Sequence, residues 1–250
     1  KGITLTKDGV EFLSYARQVV EQTNLLEERY KSHTETRELF SVSSQHYAFV
    51  VNAFVSLLKR ADMTRYELFL RETRTYEIIE DVKNFRSEIG VLFLNSYNRD
   101  VLTKMFDDNR LTYTSLFKAR PHIFVSKSNP LAKHEVVSLE DLEDFPYLSY
   151  DQGIHNSFYY SEEILSQIPH KKSIVVSDRA TLFNLLIGLD GYTIATGILN
   201  SNLNGDNIVS IPLDIDDEID IVYLKHEKAT LSKMGEKFLD NLVKEVTFDN

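Results

Sequence analysis

Residues 39–59, LFSVSSQHYAFVVNAFVSLLK, change their hydrophobic period partway along, and that change decides the fold. Residues 39–43 form a short β-prone run. Over 47–59, Val50, Val51, Phe54, Leu57 and Leu58 recur at helical spacing instead. Between the two stands the polar turn Ser43-Ser44-Gln45-His46. Strand, polar turn and helix in this order predict a βα unit.

Outward from this stretch the alternation repeats. Residues 66–70 are strand-like, 76–85 helical, and 89–94 a continuous apolar strand. Such alternation indicates βαβ units and a mainly parallel sheet covered on both faces. A second set follows, with strands over 111–117 and 122–125 and a capping-box-like helix start at Ser138 and Asp141. Next come a strand at 147–150, a helix at 156–166, a strand at 173–176 and a helix from Asp178 closed by Gly188 and Gly191. Strands at 192–195, 208–211 and 219–224 lead to an amphipathic helix with Leu231, Met234, Phe238, Leu242 and Val246 on one face. Two βα sets joined by extended crossings predict two subdomains with a cleft between them.

With 250 residues, 42% of them hydrophobic and 26% charged, the chain is long enough for a substantial core and has a globular composition. No run approaches the roughly 18 apolar residues of a membrane helix. Absence of Cys excludes disulfides and thiolate chemistry and is in keeping with a cytoplasmic protein. The net charge of −10 argues against nucleic-acid binding by most of the chain. Residues 1–37 are charge-balanced, six basic against six acidic, so the whole excess lies beyond them. Because Lys1 rather than Met comes first, the expectation is a piece of a longer or processed chain.

The front segment reads as one long helix entered at Thr6 or Asp8. Phe12, Ala16, Val19, Thr23, Leu26 and Tyr30 recur at alternating spacings of 4 and 3, a heptad seam suited to packing against another helix. The opening KGITLTKDGVEFLSYARQVVEQ, with its turn at Leu5, Thr6 and Gly9 and its helix through Tyr15, Ala16 and Val19, resembles the end of the winged helix-turn-helix and the linker helix of LysR-type transcriptional regulators. The motifs SVSSQHYAFVVNAF, SNPLAKHEVVSLEDLEDFPYLSY and LLIGLDGYTIATG are similar to segments of that family's effector domain, so the resemblance covers essentially the whole chain. Two departures, Glu88-Ile89-Gly90 before the apolar strand and Gly197 in place of a Pro, bear on ligand type rather than fold.

The resemblance implies an α/β fold of two Rossmann-like subdomains in type II periplasmic-binding-protein architecture, preceded by the linker helix. It implies a division into residues 1–37 (end of the winged domain and dimerisation helix) and 38–250 (effector-binding domain). Subdomain I is expected at about 38–112 and 213–250, and subdomain II at about 113–212. It further implies that the recognition helix lies upstream, that promoter DNA is met through that part, with Lys1 and Lys7 near phosphate or simply on the surface, and that the chain forms dimers or tetramers.

In open α/β sheets ligands bind outside the carboxyl ends of the strands, where helix N-termini expose N–H groups. That rule selects Ser43, Ser44, Gln45 and His46 after the first strand, although Ser44 as a helix cap accounts for the same pattern. It also selects Thr73 and Arg74 after the second strand, and Asn95 and Tyr97 after the apolar one. From the second set come Tyr150, Asp151, Asp178, Thr196 and Gly197; in the family the position of Thr196 reaches the ligand across the cleft. The serines and the Arg74 fork favour an anionic metabolite, while a pair between Arg74 and Glu72 or Glu77 is an equally simple account.

Catalytic patterns are missing from the sequence. The seven His show no metal-ligand spacing, and no P-loop, G-x-S-x-G or G-x-G-x-x-G occurs. The run Asp214–Glu218 reads as a solvated acidic turn. Neither cofactor nor metal is expected. The leading expectation is a ligand-responsive transcription regulator; the alternative is a solute-binding protein of an uptake system with the same fold, and a small-molecule enzyme on this scaffold comes third.

Overall fold

The computed structural model describes residues 6, 8, 9, 12, 13, 15–17, 19–21, 23, 38–60, 65–199 and 206–247. It divides into two compact units, one of residues 1–38 and 63–67, the other of 39–62 and 68–250. In the first unit the described residues from Asp8 to Thr23 are helical. The Gly9 N–H donates to Thr6 Oγ1 at 3.1 Å, so Thr6 caps this helix. Phe12 and Val19 are 73% and 66% exposed, Thr23 is exposed, and Ala16 is half-buried. Lys1, Leu5, Lys7, Leu26 and Tyr30, which carried the rest of the expected turn and seam, lie outside the described residues.

The larger unit holds two five-stranded sheets. The first orders its strands β2-β1-β3-β10-β4, from β1 (Glu38–Ser44), β2 (Tyr66–Glu72), β3 (Ile89–Leu94), β4 (Leu111–Ala119) and β10 (Ile219–His226). The second runs β7-β6-β8-β5-β9, from β5 (His122–Ser126), β6 (Tyr147–Tyr150), β7 (Ser173–Val176), β8 (Tyr192–Ala195) and β9 (Ile208–Pro212). Both are mixed rather than mainly parallel. β1 runs parallel to β3, but β10 runs antiparallel to β3 and β4. β6 runs parallel to β7 and β8, whereas β5 is antiparallel to β8 and β9. Each sheet thus receives antiparallel strands where the chain crosses between sheets, at Arg120–Pro121 and again between β9 and β10. β4 belongs to the first sheet, so the first crossing lies after Ala119 rather than near residue 112.

Why β3 sits centrally follows from its sequence. All six residues, IGVLFL, are buried, as a strand covered on both faces requires. On one face α2 (Thr75–Lys83) and α3 (Arg99–Asp108) enclose Ile78, Ile79, Leu92, Leu94, Leu102, Phe106 and Val222. Sequence reading did not identify α3, whose only fully covered residues are Leu102 and Phe106. Gly90 permits the close approach of α2: a Cβ there would meet Ile78 Cγ2 at 2.8 Å and Val82 Cγ2 at 2.9 Å. The other face carries α1 (Ala48–Arg60) and α5 (Lys233–Thr247), joined by the ring contacts of Phe40, Phe54 and Phe238. Glu88 ties this end together, accepting from the Ser232 N–H at 2.6 Å and from its hydroxyl at 3.0 Å just before α5. Met234, Phe238 and Leu242 are buried as expected, while the side chain of Val246 lies outside the described residues.

The second core gathers Phe124, Leu148, Val176, Leu182, Leu186 and Ile208 around α4 (Arg179–Leu189). Asp178 caps α4 by accepting from the Thr181 N–H at 2.8 Å. The helix continues through Gly188 and ends at Asp190 in the left-handed region, so Gly188 does not close it. The helix expected over 156–166 is absent; only the 3-10 turn Phe158–Tyr160 forms there. Ser138 and Asp141 exchange their reciprocal capping bonds, but they open only the 3-10 turn Glu140–Leu142.

Candidate functional site

The carboxyl ends of β1, β2 and β3 face the segment 150–163 that follows β6. Two residues before α1 the His46 N–H donates to Glu162 Oε2 at 2.9 Å. The imidazole Nδ1 lies 2.9 Å from Oε2 and 3.1 Å from Oε1 of the same carboxylate. Gln152 Nε2 donates to Oε1 at 3.1 Å. A helix N-terminus favours an anion because its N–H groups lack intrahelical partners and the helix dipole is positive there. Here the anion is supplied by the chain itself, from the other sheet. Both side chains are buried, at 6% and 3% exposure, so their interaction is little screened.

Around this pair is a cavity of about 40 Å³. At roughly 10–15 Å³ per water it holds a few waters and no metabolite, so the cleft is closed. Its polar lining includes His46, Tyr150, Glu162, Glu163, Arg179 and Thr196, and its apolar walls include Phe93, Phe124, Leu182 and Phe183. Tyr150 stacks on His46 with ring centroids 4.1 Å apart. Glu163 is 3% exposed; Oε1 accepts the Tyr150 N–H at 2.9 Å, and Oε2 has no hydrogen-bond partner among the described residues. Burial, followed by the Glu162 charge, pushes the Glu163 carboxyl well above the usual range, and nearby N–H groups pull it back less. Burial also raises Glu72, partly offset by the Arg179 guanidinium 3.1 Å away. His46 responds to opposing causes: burial disfavours its charge, but Glu162 outweighs that and leaves it above its ordinary value.

Beyond the cavity the two sheets are latched by polar and stacked contacts. Arg74 Nη2 lies 2.5 Å from Asp151 Oδ2, and its Nε donates to the Asp151 carbonyl at 3.1 Å. The Thr75 N–H donates to Gln152 Oε1 at 3.2 Å. Tyr76 stacks on His155 at 3.5 Å, and Tyr97 on Tyr159 at 4.8 Å. Gly153 makes the Asp151 turn possible at φ +61°, and a Cβ there would strike Arg74 Nη1 at 2.7 Å.

Of the residues selected from sequence, His46, Tyr150 and Thr196 line the cavity. Ser43 turns away, bonded to Asp81 and Ser87 at 2.7 Å each. Gln45 is consumed by Thr75, Tyr47 and the Phe93 N–H. Ser44 is fully buried with its hydroxyl unpartnered among the described residues, so it is not a side-chain cap. Thr73 bonds Glu77, and Arg74 and Asp151 bond each other. Asn95 builds the turn before α3 and donates to Asp217 at 3.1 Å, which gives the acidic run 214–218 one inward partner. Asp178 is the α4 cap. Gly197, at φ +82°, passes against the His122 ring. Sequence reading missed Glu162, Glu163 and Arg179. The first two fall within the helix expected over 156–166, which does not form. Arg179 follows immediately after Asp178 in the first turn of α4, the place where the strand-end rule already pointed. A second cavity of about 260 Å³, lined by residues including Leu142, Phe145, His170 and Tyr192, contains none of the selected residues.

No helix among the described residues is long and apolar enough to cross a membrane. Among them, too, no cluster of His, Asp and Glu could hold a metal ion.

The LysR substrate binding domain matches residues 43–247. No curated protein matches the chain by sequence. Among solved structures, the chain is similar to OxyR of Corynebacterium glutamicum at 13% identity and TM-score 0.61, covering 98% of this chain and 76% of that one. HinK, a LysR family transcriptional regulator from Pseudomonas aeruginosa, matches at 14% identity and TM-score 0.54, covering 97% and 81%. The effector binding domain of QuiR in complex with shikimate matches at 16% identity and TM-score 0.55, covering 84% and 97%. These likenesses carry the fold, and the domain match carries the family. The chain belongs to the LysR family, through a substrate-binding domain of two mixed five-stranded sheets akin to type II periplasmic binding proteins.

Proposed function

We propose that this chain is the sensing part of a cytoplasmic transcription regulator, in which a small metabolite enters between the two sheets and resets their closure. The observation that carries this reading is the closed cavity at His46 and Glu162, with side chains from both sheets and two chain crossings that can act as hinges. A ligand able to bind only the opened cleft shifts the population by its differential affinity for the two forms. QuiR, solved with shikimate, is a relative in fold whose corresponding domain holds a small molecule.

Residues 1–37 act in this reading as the end of the winged domain and the dimerisation helix, and 38–250 as the effector domain. The exposed Phe12 and Val19 are available to a second copy of the helix. Closure then changes how paired DNA-binding domains engage their half-sites. An anionic effector, favoured by the polar turn and Arg74 in the sequence, has less support from the geometry. Arg74 is paired with Asp151, Ser43 with Asp81, and the helix N-terminus with Glu162.

The absence of Cys permits a direct test. Spin labels on Lys104→Cys and Glu135→Cys, exposed on opposite lobes, report the separation of the sheets. A metabolite panel is first screened by thermal shift, since binding to the folded state raises the melting temperature. The expected result is a compound that both raises Tm and changes the label distance. Binders that leave the distance unchanged, or no binder at all, would refute the reading.

A further inference from the structure

Two carboxyls line the cleft cavity, Glu162 and Glu163, with one guanidinium, Arg179, and the imidazole of His46, and a third carboxyl, Glu72, stands behind Arg179. Arg179 is engaged with Glu72 at 3.1 Å, and the His46 N–H just before α1 with Glu162 at 2.9 Å. The positive features of the site are therefore matched by the chain's own acids. What is left over is the carboxyl of Glu163, buried, lining the cavity, with Oε2 lacking a hydrogen-bond partner among the described residues; burial and the Glu162 charge favour its proton until a cation sits beside it. A buried polar atom without a partner is costly, and a ligand donor placed there recovers that cost. An ammonium group does more, because its charge favours the ionised form of Glu163 and then pairs with it in a poorly screened cavity. An acid entering the same space must first evict Glu162 and then sit beside Glu163. The remaining walls, Phe93, Phe124, Leu182, Phe183 and Ile219, suit an apolar frame.

We infer that Glu162 is a built-in occupant of the anion seat at the start of α1, and that the cleft therefore selects small molecules bearing a protonated amine on an apolar frame, held by Glu163. This rests on the cleft being the effector site and deepens that reading by naming the effector's class. Glu162 acts as a specificity-determining residue through exclusion, and Glu163 through direct contact.

The test uses matched trios, each an amine, an alcohol and a carboxylic acid on one short alkyl, phenyl or indolyl frame, titrated into the full chain at neutral pH by calorimetry. For wild type, at least one amine is expected to bind ten-fold or more tightly than the acid on its frame. Glu163→Gln should lose ten-fold or more for the amine while sparing the alcohol. Glu162→Ala, which vacates the seat, should gain ten-fold or more for the acid. Circular dichroism checks the fold of each variant, and the wild-type ranking stands as a test even if a variant does not fold. Acids that bind wild type as tightly as amines overturn this inference but leave the cleft reading intact. A panel in which nothing binds overturns the inference, and failure of the wider metabolite screen as well removes the cleft reading with it.

Discussion

The backbone N–H and the imidazole of His46 both meet the carboxylate of Glu162, each at 2.9 Å, across the gap between two sheets that are 116 residues apart in the chain at this point. One side chain from a loop of the second lobe thereby satisfies the turn that leads into a helix of the other. Removing it leaves a helix end, an imidazole and the Gln152 amide without that acceptor. Glu162→Ala is expected to destabilise the protein by about 1–3 kcal/mol, the usual range for orphaning buried donors. Glu162→Gln, which keeps an acceptor oxygen, should lose less. Urea unfolding of both variants checks the ordering; an alanine variant as stable as wild type would mean that the contact is energetically idle.

Stability should fall as pH rises from about 5 to 8. His46, Glu72 and Glu163 all hold their protons more tightly folded than unfolded. Their favourable contribution is complete below the ordinary values of 4.5 for the carboxyls and 6.5 for the imidazole, and is lost as pH climbs through the raised folded values. His170 is shifted down by burial and works the opposite way. Replacing Glu163 with Gln removes one contributor and leaves His170 untouched, so the fall in ΔG with pH should become shallower in that variant. An unchanged slope would contradict the assignment.

Arg74 and Asp151 make a partly exposed pair, each side chain 36–41% accessible, so its contribution to stability is expected to be small, about 0.2–1 kcal/mol. Its larger effect should be on closure. Arg74→Ala is predicted to broaden the distance distribution between labels on the two lobes at nearly unchanged Tm. Gly153→Ala should act on the same latch with a greater loss, because its φ of +61° and the nearby guanidinium both resist a Cβ.

Phe238 is fully buried against Phe40 and Phe54 where α5 meets α1. Phe238→Ala is expected to lose about 3–5 kcal/mol in chemical denaturation. Phe238 does not line the cleft cavity, so ligand affinity of the folded fraction should stay as in wild type.

If the front helix pairs with another copy, charges on its apolar face should separate them. Phe12→Glu combined with Val19→Glu, at two exposed positions, is predicted to shift sedimentation toward a smaller species without altering the far-UV signal of the sheets. Wild type sedimenting as a monomer at high concentration would remove the basis for the pairing.

The chain's alternation was legible because it rests on local periodicity. The unbroken apolar run of β3, the helical spacing of α1 and the Asp178 and Thr6 caps each depend on neighbours within a few residues. The absent helix at 156–166 marks the limit of that reading. There, Glu162 and Glu163 turn inward to partners on distant strands, and tertiary hydrogen bonds override local propensity. The antiparallel placement of β10 and β5 was likewise invisible, since pairing direction is set by where the chain crosses between sheets and not by the period of a strand.

The sequence alone determined the α/β class, the order of nearly all elements, the family resemblance and the strand-end turns where a ligand would be sought. Tertiary structure alone decided which of those turns face a cavity, and it brought Glu162, Glu163 and Arg179 to that cavity while Ser43 and Arg74 found other partners. The physical reason is range. Backbone periodicity is written in contacts a few residues long, whereas the electrostatics of a cleft is the sum of side chains from both lobes.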